Sequence, residues 1–304
     1  MHPAWSIIFF TSASGLGLGL AGWVVLGIID LGNVINFLIV SVFTFGLIGA
    51  GLLSSTLHLG HPERAWRALS QWRSSWLSRE GVLAVLVLSL LAVWFGWNYL
   101  IGSVPFLLGL PLVFLIAVTV YATSMIYASL KTVACWHHPL TPACYLLFSV
   151  SGGLLASMWL LAVTGQSFIS EIYHLTYFLL ILAWVAKGLW WRNLDKKSPE
   201  STLESATGLG SFGKVRPLMP PHTSENYLQT EMGFVVARRH ALKLRVMSIL
   251  AGGLIPLLVF ISFPSSSVLL GLALILHFVG VFIERWLFFA EAKHVVSLYY
   301  GEAQ

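Results

Sequence analysis

Charged residues are scarce in this 304-residue chain, since Asp, Glu, Lys and Arg together make up 10% of it. Cysteine is also scarce, and Cys135 and Cys144 stand nine residues apart. This spacing fits no CxxC, iron–sulfur or zinc pattern, so we interpret the pair as two buried thiols and expect no metal site in the chain. The net charge of +5 then indicates membrane topology and contact with anionic lipid, and not binding to nucleic acid.

Apolar residues dominate the chain instead. Hydrophobic residues make up 57% of it, and the mean hydropathy is +0.83. Eight apolar runs have about the 20 residues that a helix needs to cross a bilayer. They are residues 5–28, 34–57, 81–101, 105–127, 139–164, 168–190, 246–263 and 266–290. The sequence therefore predicts an all-α polytopic membrane protein, with a single membrane domain over residues 1–304 that is a bundle of eight transmembrane helices.

The basic residues divide unequally between the two ends of these runs. With the amino-terminal end called side A, all 17 Lys and Arg residues fall in side-A segments. The opposite end, side B, carries the acidic residues Asp30 and Glu171 in its turns. Because cytoplasmic loops are enriched in Lys and Arg, we expect side A and both termini to be cytoplasmic and the membrane to be a bacterial inner membrane.

The link between the second and third runs concentrates titratable groups. Its sequence, HLGHPERAWRALSQWRSSWLSRE, contains eight of them: His58, His61, Glu63, Arg64, Arg67, Arg73, Arg79 and Glu80. Pro62 suits the first turn of a helix. At 100° per residue one side of that helix carries Ala65, Trp66, Leu69, Trp72 and Trp76, and the other carries Arg64, Arg67 and Gln71. The pattern predicts an interfacial amphipathic helix within 59–80, although an aromatic belt explains the tryptophans equally well.

His58 ends the second run and Glu80 begins the third, so two proton-exchanging groups lie at a similar depth on side A. Reduction of a quinone takes two electrons and two protons, and a histidine or a partly buried glutamate can exchange such protons. We interpret the two residues as the catalytic pair of a quinone pocket with Trp and Leu walls. The alternatives are structural: His58 as a helix cap, and Glu80 as a snorkelling residue paired with Arg79.

Residues 191–244 form the one long hydrophilic stretch of the sequence. The segments SPEST, ATGLGSFGK and RPLMPPH punctuate it with Gly, Pro and Ser, and apolar and polar residues alternate along it. These features favour a cytoplasmic docking loop for a soluble partner, and a passive linker is the alternative.

Two stretches resemble a known family. HLGHPERAW followed by LSRE resembles the HLG-x-P-x-RA and LS-x-E pattern of the membrane anchor subunit of dimethyl sulfoxide reductase. YASLKTVACWHHPLTPACY resembles the loop after the fourth span in that family. The resemblance implies an anchor for a molybdopterin catalytic subunit and an iron–sulfur subunit, exchanging electrons with membrane quinone (ubiquinone or menaquinone). It places the family's quinone-site His and Glu on His58 and Glu80, and its RA element on Arg64.

The set of residues expected around the quinone is completed by His61, Trp66 and Arg79. Further side-A residues that could line the pocket or the partner interface are Lys131, Trp136, His137 and His138. His174 and His277 lie within or near the runs, where two facing histidines could ligate haem b. Because the family usually manages without haem, and because a lone histidine in a helix is more often structural, we expect quinone rather than haem b.

The orientation departs from dimethyl sulfoxide reductase, whose catalytic subunits face the periplasm. Here four arginines group the 59–80 loop with the cytoplasmic charges, so we expect both partner subunits on the cytoplasmic side. A membrane-bound sulfite-oxidising molybdoenzyme faces the cytoplasm, and MHPAWSIIFFT, ATGLGSFGKVR and PPHTSENYLQTEMGFVVARRHA resemble its anchor subunit. The resemblance therefore implies transfer of electrons from the iron–sulfur subunit to quinone in sulfite oxidation.

Other functions stay open at this stage. The chain could anchor a dimethyl sulfoxide or other oxide reductase that takes electrons from quinol, or it could be a tether with no quinone site. A small-solute transporter fits the hydropathy as well. Against a transporter, the runs show no midplane charges and no paired interrupted helices.

Overall fold

The structure, a computed structural model, describes residues 4–57, 59–167, 170–196, 201–216, 218–219 and 236–300. Within these residues the regular structure is entirely helical, and eight helices are long and apolar enough to cross a membrane. The predicted all-α, eight-span membrane protein is therefore confirmed.

The first six spans are single helices: α1 Trp5–Val25, α2 Val34–Ser54, α3 Trp76–Leu100, α4 Phe106–Ala128, α5 Leu140–Val163 and α6 Ser170–Lys196. A short helix α7, Leu203–Thr207, follows. The seventh span begins in α8, Val236–Ile249, passes through a π-helical turn at Leu250–Leu254 and ends in α9, Ile255–Ser262. The eighth is α10, Ser267–Ala290. Short 3-10 helices cover Pro62–Gln71, Gly210–Phe212 and Val295–Tyr300.

Three helices extend beyond the apolar runs on side A. α3 begins at Trp76 rather than at 81, α6 ends at Lys196 rather than at 190, and α8 begins at Val236 rather than at 246. An apolar run marks only the part of a helix that lies in hydrocarbon. Polar residues can continue the same helix past the membrane boundary, so the spans were predicted correctly and their side-A ends were not.

α1 and α5 form the centre of the bundle. In their most apolar stretches 78% and 67% of the residues are buried, against 28–39% for the other spans. Their backbones meet at glycines: a Cβ on Gly19 would lie 1.8 Å from the Ser149 carbonyl oxygen, and one on Gly153 would lie 2.2 Å from the Gly19 carbonyl carbon. Small residues permit this close approach, which is how helices gain packing energy in a lipid environment.

Hydrogen bonds between loops show which ends of the helices lie together. On side B, Gln166 and the Asp30 backbone exchange two hydrogen bonds at 2.8 and 3.0 Å. On side A, the Trp136 indole donates to the Phe288 carbonyl at 2.8 Å, and the Val295 N–H donates to the Thr132 carbonyl at 3.0 Å. The acidic turns and the basic loops thus lie at opposite ends of the bundle.

Candidate functional site

Glu80 lies inside the bundle, just over one turn into α3. Ser75 precedes this helix, and its hydroxyl accepts a hydrogen bond from the Ser78 N–H at 3.5 Å, which starts α3 ahead of the apolar run. Glu80 is 5% exposed. Its carboxyl therefore belongs to the interior of the third span, and not to the boundary ahead of it.

Thr123 on α4 is the hydrogen-bond partner of Glu80. Its hydroxyl donates to Glu80 Oε1 and also lies 3.1 Å from the Thr119 carbonyl oxygen. An ionised Glu80 can accept from Thr123, and a protonated Glu80 can donate to Thr123 while the hydroxyl donates to Thr119. Both protonation states of the carboxyl are hydrogen-bonded without any movement of the backbone.

Arg79 connects the 59–80 loop to α3. Its Nε and Nη2 donate to the carbonyls of Trp72 and Arg73 at 3.0 and 2.7 Å, and its guanidinium lies 4.4 Å from the centre of the Trp76 ring. The alternative in which an exposed Glu80 pairs with Arg79 is therefore wrong. Arg79 holds the loop in place, and Glu80 contacts Thr123 on α4.

The helix of the 59–80 loop is a 3-10 helix confined to Pro62–Gln71. The Ser78 hydroxyl donates to the Ala68 carbonyl, and the Leu69 side chain covers Gly81 at the start of α3. Trp76, which the periodicity placed on this helix, belongs to α3. Because a 3-10 helix has three residues per turn rather than 3.6, the predicted division into two faces changes along its length.

The remaining residues expected around the quinone lie on the exposed surface of this 3-10 helix or just before it. His61 and Arg64 contact Glu63 Oε1 at 3.0 and 3.7 Å, and all three side chains are more than half exposed. Trp66 is also exposed, at 68%. Among the described residues, no hydrogen bond or ion pair joins these groups to Glu80. His58 lies outside the described residues, so its pairing with Glu80 stays a prediction.

Three charged side chains that the sequence analysis did not place in the interior are buried between α6 and α10. Lys187 Nζ lies 2.6 Å from Glu284 Oε1, and Arg285 Nη1 lies 3.2 Å from Glu284 Oε2, with side-chain exposures of 3% or less. Both separations are ion-pair distances, although neither Glu284 oxygen has the alignment of a hydrogen bond. We call Lys187, Glu284 and Arg285 the buried triad.

The buried triad changes the number of Lys and Arg residues that can be assigned to side A. Lys187 and Arg285 were assigned to side-A segments, but they are inside spans, where aromatic rings contact them. Lys187 Nζ lies 3.6 Å from the centre of the Trp190 ring, and the Arg285 guanidinium carbon lies 3.6 Å from that of Tyr145. Fifteen Lys and Arg residues remain in the side-A segments of the sequence, and the cytoplasmic position of side A stays a prediction. The triad places charge inside α6 and α10, toward their side-A ends, and the expected lack of charge at the midplane is not contradicted by it.

A water-sized cavity of about 20 Å³ lies where α1, α4, α5 and α10 meet. It is lined by Thr123, Tyr145 and Arg285, together with residues of α1 such as Ser12. The hydroxyls of Tyr145 and Ser12 and the Nε of Arg285 are buried there without a hydrogen-bond partner among the described residues. Polar and apolar side chains both line the cavity, and it is too small for a quinone ring.

Arg245 forms a second charged group nearer to side A. Its guanidinium donates to Asp195 at 2.7 and 3.0 Å and to Glu291 at 2.7 and 3.1 Å. Burial raises the pKa of Glu291, and the charge of Arg245 acts against that shift. This arrangement joins the side-A ends of α6, the seventh span and α10.

His137 and His138 make local hydrogen bonds. His137 contacts the Ala128 carbonyl at 2.7 Å, and the Leu140 N–H donates to His138 at 3.1 Å. Both cysteines are free thiols. Burial raises the pKa of the Cys135 thiol to about 11, which makes it unreactive at neutral pH.

The two histidines considered for haem have different surroundings. His174 is exposed on α6 and contacts Tyr177 of the same helix. His277 is buried on α10, and its Nδ1 lies 2.5 Å from the Gly252 carbonyl in the π-helical turn. Each ring therefore has a protein partner at Nδ1.

The docking loop predicted at 191–244 is described in part. Its first residues continue α6, and residues 197–200, 217 and 220–235 lie outside the described residues. Between them, Thr202 and Ser205 form a capping box on α7, and the Val215 N–H donates to Glu204 at 3.0 Å. Several apolar side chains here are exposed: Leu209, Phe212, Leu218 and Met219. Its role in docking stays a prediction.

Comparison with known proteins gives matches over the whole chain. A family model described as DMSO reductase anchor subunit (DmsC) matches residues 1–301. A sulfite dehydrogenase subunit of Allochromatium vinosum is 32% identical over 326 aligned positions, which cover 99% of each chain. The anaerobic dimethyl sulfoxide reductase chain YnfH of Escherichia coli is 27% identical over 172 positions, which cover 55% of this chain and 59% of that one.

Proposed function

The chain belongs to the family of dimethyl sulfoxide reductase anchor subunits, and on that premise we propose that it passes electrons from an iron–sulfur subunit to membrane quinone during sulfite oxidation. The family resemblance found in the sequence is confirmed. The chain is the multi-pass membrane anchor of a complex of the dimethyl sulfoxide reductase type. Membership of the family implies association with the catalytic and iron–sulfur subunits of a molybdoenzyme.

The buried carboxyl of Glu80 is the observation that carries the quinone proposal. A quinone accepts two electrons and two protons, and this chain must supply the proton exchange. Glu80 lies within a membrane span, and its contact with Thr123 accommodates the carboxyl with or without a proton. An ionisable group inside a span is costly and is usually retained for function.

The chain also offers an aromatic pair near the start of α3. Trp76 precedes Glu80 by one helical turn on α3, and its ring meets that of Tyr121 edge-on, with 5.9 Å between the ring centres. Because the cavity beside Thr123 is water-sized, we place the quinone ring on the Trp76 side of the carboxyl. His58, adjoining the same loop, is the second residue proposed to bond the ring.

Similarity to a sulfite dehydrogenase subunit over 99% of both chains supports sulfite as the electron source. Oxidation of sulfite with water gives sulfate, two protons and two electrons, and the two electrons with two protons reduce one quinone. The second candidate is an anchor for an oxide reductase running from quinol, which the similarity to YnfH favours over about half of the chain.

Family membership is the main argument against the transporter alternative, since residues 1–301 match an anchor subunit. The buried triad places charges within two spans, but toward their side-A ends and not at the midplane.

We further propose that side A is cytoplasmic and that the partner subunits dock there. The arginines of the 62–71 helix and the exposed apolar residues Phe212, Leu218 and Met219 offer charged and apolar contacts. Reporter fusions at residue 304 and in the turn at residue 32 test the sidedness. Activity of a cytoplasmic reporter at residue 304 and of a periplasmic reporter at residue 32 is expected, and the reverse would overturn it.

Purification of the tagged chain in mild detergent tests the proposed function. We expect molybdenum- and iron-containing subunits to copurify and the complex to reduce a short-chain quinone when sulfite is added. Quinol-dependent reduction of dimethyl sulfoxide without sulfite oxidation would favour the second candidate. A chain that purifies alone, with no metal-containing partner, would contradict both.

A further inference from the structure

We propose that a groove between α6 and the seventh span binds an acyl chain of an anionic phospholipid, whose phosphate is held by basic residues at the side-A ends of the same two helices. The proposal is independent of the proposed function at Glu80 and adds a lipid-binding site on the outer surface of the bundle. Three features support it: the shape and lining of the groove, its depth in the membrane, and the charges on its side-A flank.

The groove has a volume of about 270 Å³, close to the roughly 300 Å³ of the smallest pockets that hold organic ligands. Ile181, Trp184 and Val185 of α6 form one wall, and residues such as Ile249 and Leu254 of the seventh span form the other. All of its lining residues are apolar. A polar ligand would leave its hydrogen-bonding groups unpaired there, so the groove suits a hydrocarbon chain.

The π-helical turn at Leu250–Leu254 shapes the groove. The Trp184 indole donates to the Gly252 carbonyl in this turn at 2.9 Å, and a Cβ on Gly253 would lie 2.8 Å from the Trp184 ring. The two glycines therefore give the ring room to lie against the turn, where it is 7% exposed. Turns of this kind often occur at functional sites. The Trp184 ring is thus held in place as the inner wall of the groove.

The open side of the groove faces the bilayer. Val185 and Leu254 line the groove and are 52% and 45% exposed, and both belong to helices that are long and apolar enough to cross a membrane. The exposed surface of a span inside the hydrocarbon core is in contact with lipid chains. A lipid chain can therefore enter the groove directly from the bilayer.

Basic residues stand at the depth where the head group of such a lipid would lie. Arg192 follows Trp184 by eight residues on α6, and Lys243 precedes Gly253 by ten residues in the seventh span. At a rise of about 1.5 Å per residue, they are roughly 12 and 15 Å nearer to side A than the groove. Half of the hydrocarbon core is about 15 Å thick, so a lipid whose chain lies in the groove has its phosphate level with both residues.

The two helices lie side by side at this level and present positive charge. Arg245 of α8 and Asp195 of α6 join them with an ion pair at 2.7 Å. Three basic side chains on the same two helix ends are exposed: Arg192, Lys196 and Lys243. Because Arg245 neutralises Asp195, that carboxylate does not cancel their charge. Basic residues between spans at the membrane surface bind anionic head groups, and a lipid phosphate accepts charge-assisted hydrogen bonds from them.

Two double substitutions test the charges. Arg192→Gln with Lys243→Gln removes two positive charges from exposed positions, so this variant is expected to fold. Lys131→Gln with Lys293→Gln is the matched control, because it removes two exposed charges from other segments of side A. A lipid that is held beside the groove should respond to the first pair and not to the second.

A further substitution tests the groove itself. Val185→Phe places a ring in the space that the acyl chain would occupy. Val93→Phe is its control, because Val93 is 65% exposed on α3 and is not part of the groove lining. Size-exclusion chromatography of each purified complex checks that the variants are folded and assembled before lipid binding is compared.

The experiment measures lipid binding to the purified complex by native mass spectrometry in detergent, with phosphatidylglycerol and phosphatidylcholine titrated separately. The wild-type complex should bind phosphatidylglycerol more tightly than phosphatidylcholine. Arg192→Gln with Lys243→Gln should weaken phosphatidylglycerol binding by about fivefold for each charge removed and leave phosphatidylcholine binding unchanged. Val185→Phe should weaken the binding of both lipids, since both have the acyl chain.

Equal losses of phosphatidylglycerol binding in the two double variants would overturn the proposal, because the lipid would then be attracted by the whole side-A surface. Equal binding of the two lipids by the wild-type complex would overturn it as well. Unchanged lipid binding in Val185→Phe, with a loss of copurified quinone, would show instead that the groove holds a quinone tail. These readouts do not depend on quinone-linked activity, so a failure of the proposed function leaves this test intact.

Discussion

Lys187 on α6 and Glu284 on α10 form an ion pair at 2.6 Å in which neither side chain is more than 1% exposed. Arg285 is the second cation beside the same carboxylate, at 3.2 Å. The two basic residues thus share one acidic residue in a region that excludes water. Because both cations share the Glu284 carboxylate, substitution of Glu284 and substitution of one cation should affect stability differently, and the difference can be measured.

Glu284→Gln should destabilise the protein more than Lys187→Met does. The first change leaves two buried cations without a counter-charge, and removal of one partner from a buried pair costs about 3–5 kcal/mol. The second leaves a neutral pair. The rate of thermal inactivation of the purified complex in detergent, measured for both variants, gives the order. A faster inactivation of Lys187→Met would show that this charge count is wrong.

Gly153→Ala should disrupt the packing of α1 against α5. The new Cβ would lie 2.2 Å from the Gly19 carbonyl carbon and 2.4 Å from the Leu20 nitrogen, and backbone atoms cannot move aside as a flexible side chain can. Gly22→Ala is the control, since a Cβ there meets nothing within 4 Å. We expect little folded Gly153→Ala protein in the membrane and normal amounts of Gly22→Ala, as judged by size-exclusion chromatography. Equal yields of monodisperse protein would refute the close contact.

Arg245→Lys should loosen the side-A end of the bundle. The guanidinium makes two hydrogen bonds to Asp195 and two to Glu291, and an ammonium cannot reproduce this paired geometry. Loss of the paired contacts should cost about 1–3 kcal/mol and should increase hydrogen exchange at the carboxyl end of α6. Arg192→Lys is the control, because Arg192 is exposed and lies on α6, the helix whose hydrogen exchange is measured. Unchanged exchange in Arg245→Lys would mean that this group does not hold the helices together.

His58→Ala should weaken the binding of a quinone-analogue inhibitor and slow quinone-linked turnover. The expectation rests on the family motif HLG and on the position of His58 between α2 and the 59–80 loop. His61→Ala serves as the comparison, because His61 is exposed and contacts Glu63. Inhibitor titration of both variants should show a weaker affinity in His58→Ala alone. Equal affinities would remove His58 from the site.

The sequence was sufficient for the architecture because a bilayer imposes simple rules. About 20 apolar residues are needed for each span, and basic residues gather on one side, so the eight helices and their two ends could be predicted. The charges in the interior of the bundle could not be predicted. Lys187 and Arg285 stand near the ends of apolar runs, where a loop residue and a buried one look alike, and their burial depends on Glu284 and on aromatic rings of other helices.

The candidate site was predictable only in part, because it too depends on contacts between residues of different helices. The motif identified Glu80, but its partner Thr123 lies 43 residues away on the next helix, and no local pattern links the two. The cavity forms where α1, α4, α5 and α10 meet, which is a property of packing rather than of spacing.

Quinone-linked turnover of the Glu80→Gln complex tests the central claim most directly. Glutamine keeps the shape of the side chain and can still bond Thr123, but it cannot exchange a proton. We predict a loss of about 10²- to 10⁴-fold with quinone and a normal rate with an artificial soluble acceptor, with Glu171→Gln on side B as the unaffected control. Full quinone-linked activity in an intact Glu80→Gln complex would contradict the account and place the quinone site elsewhere.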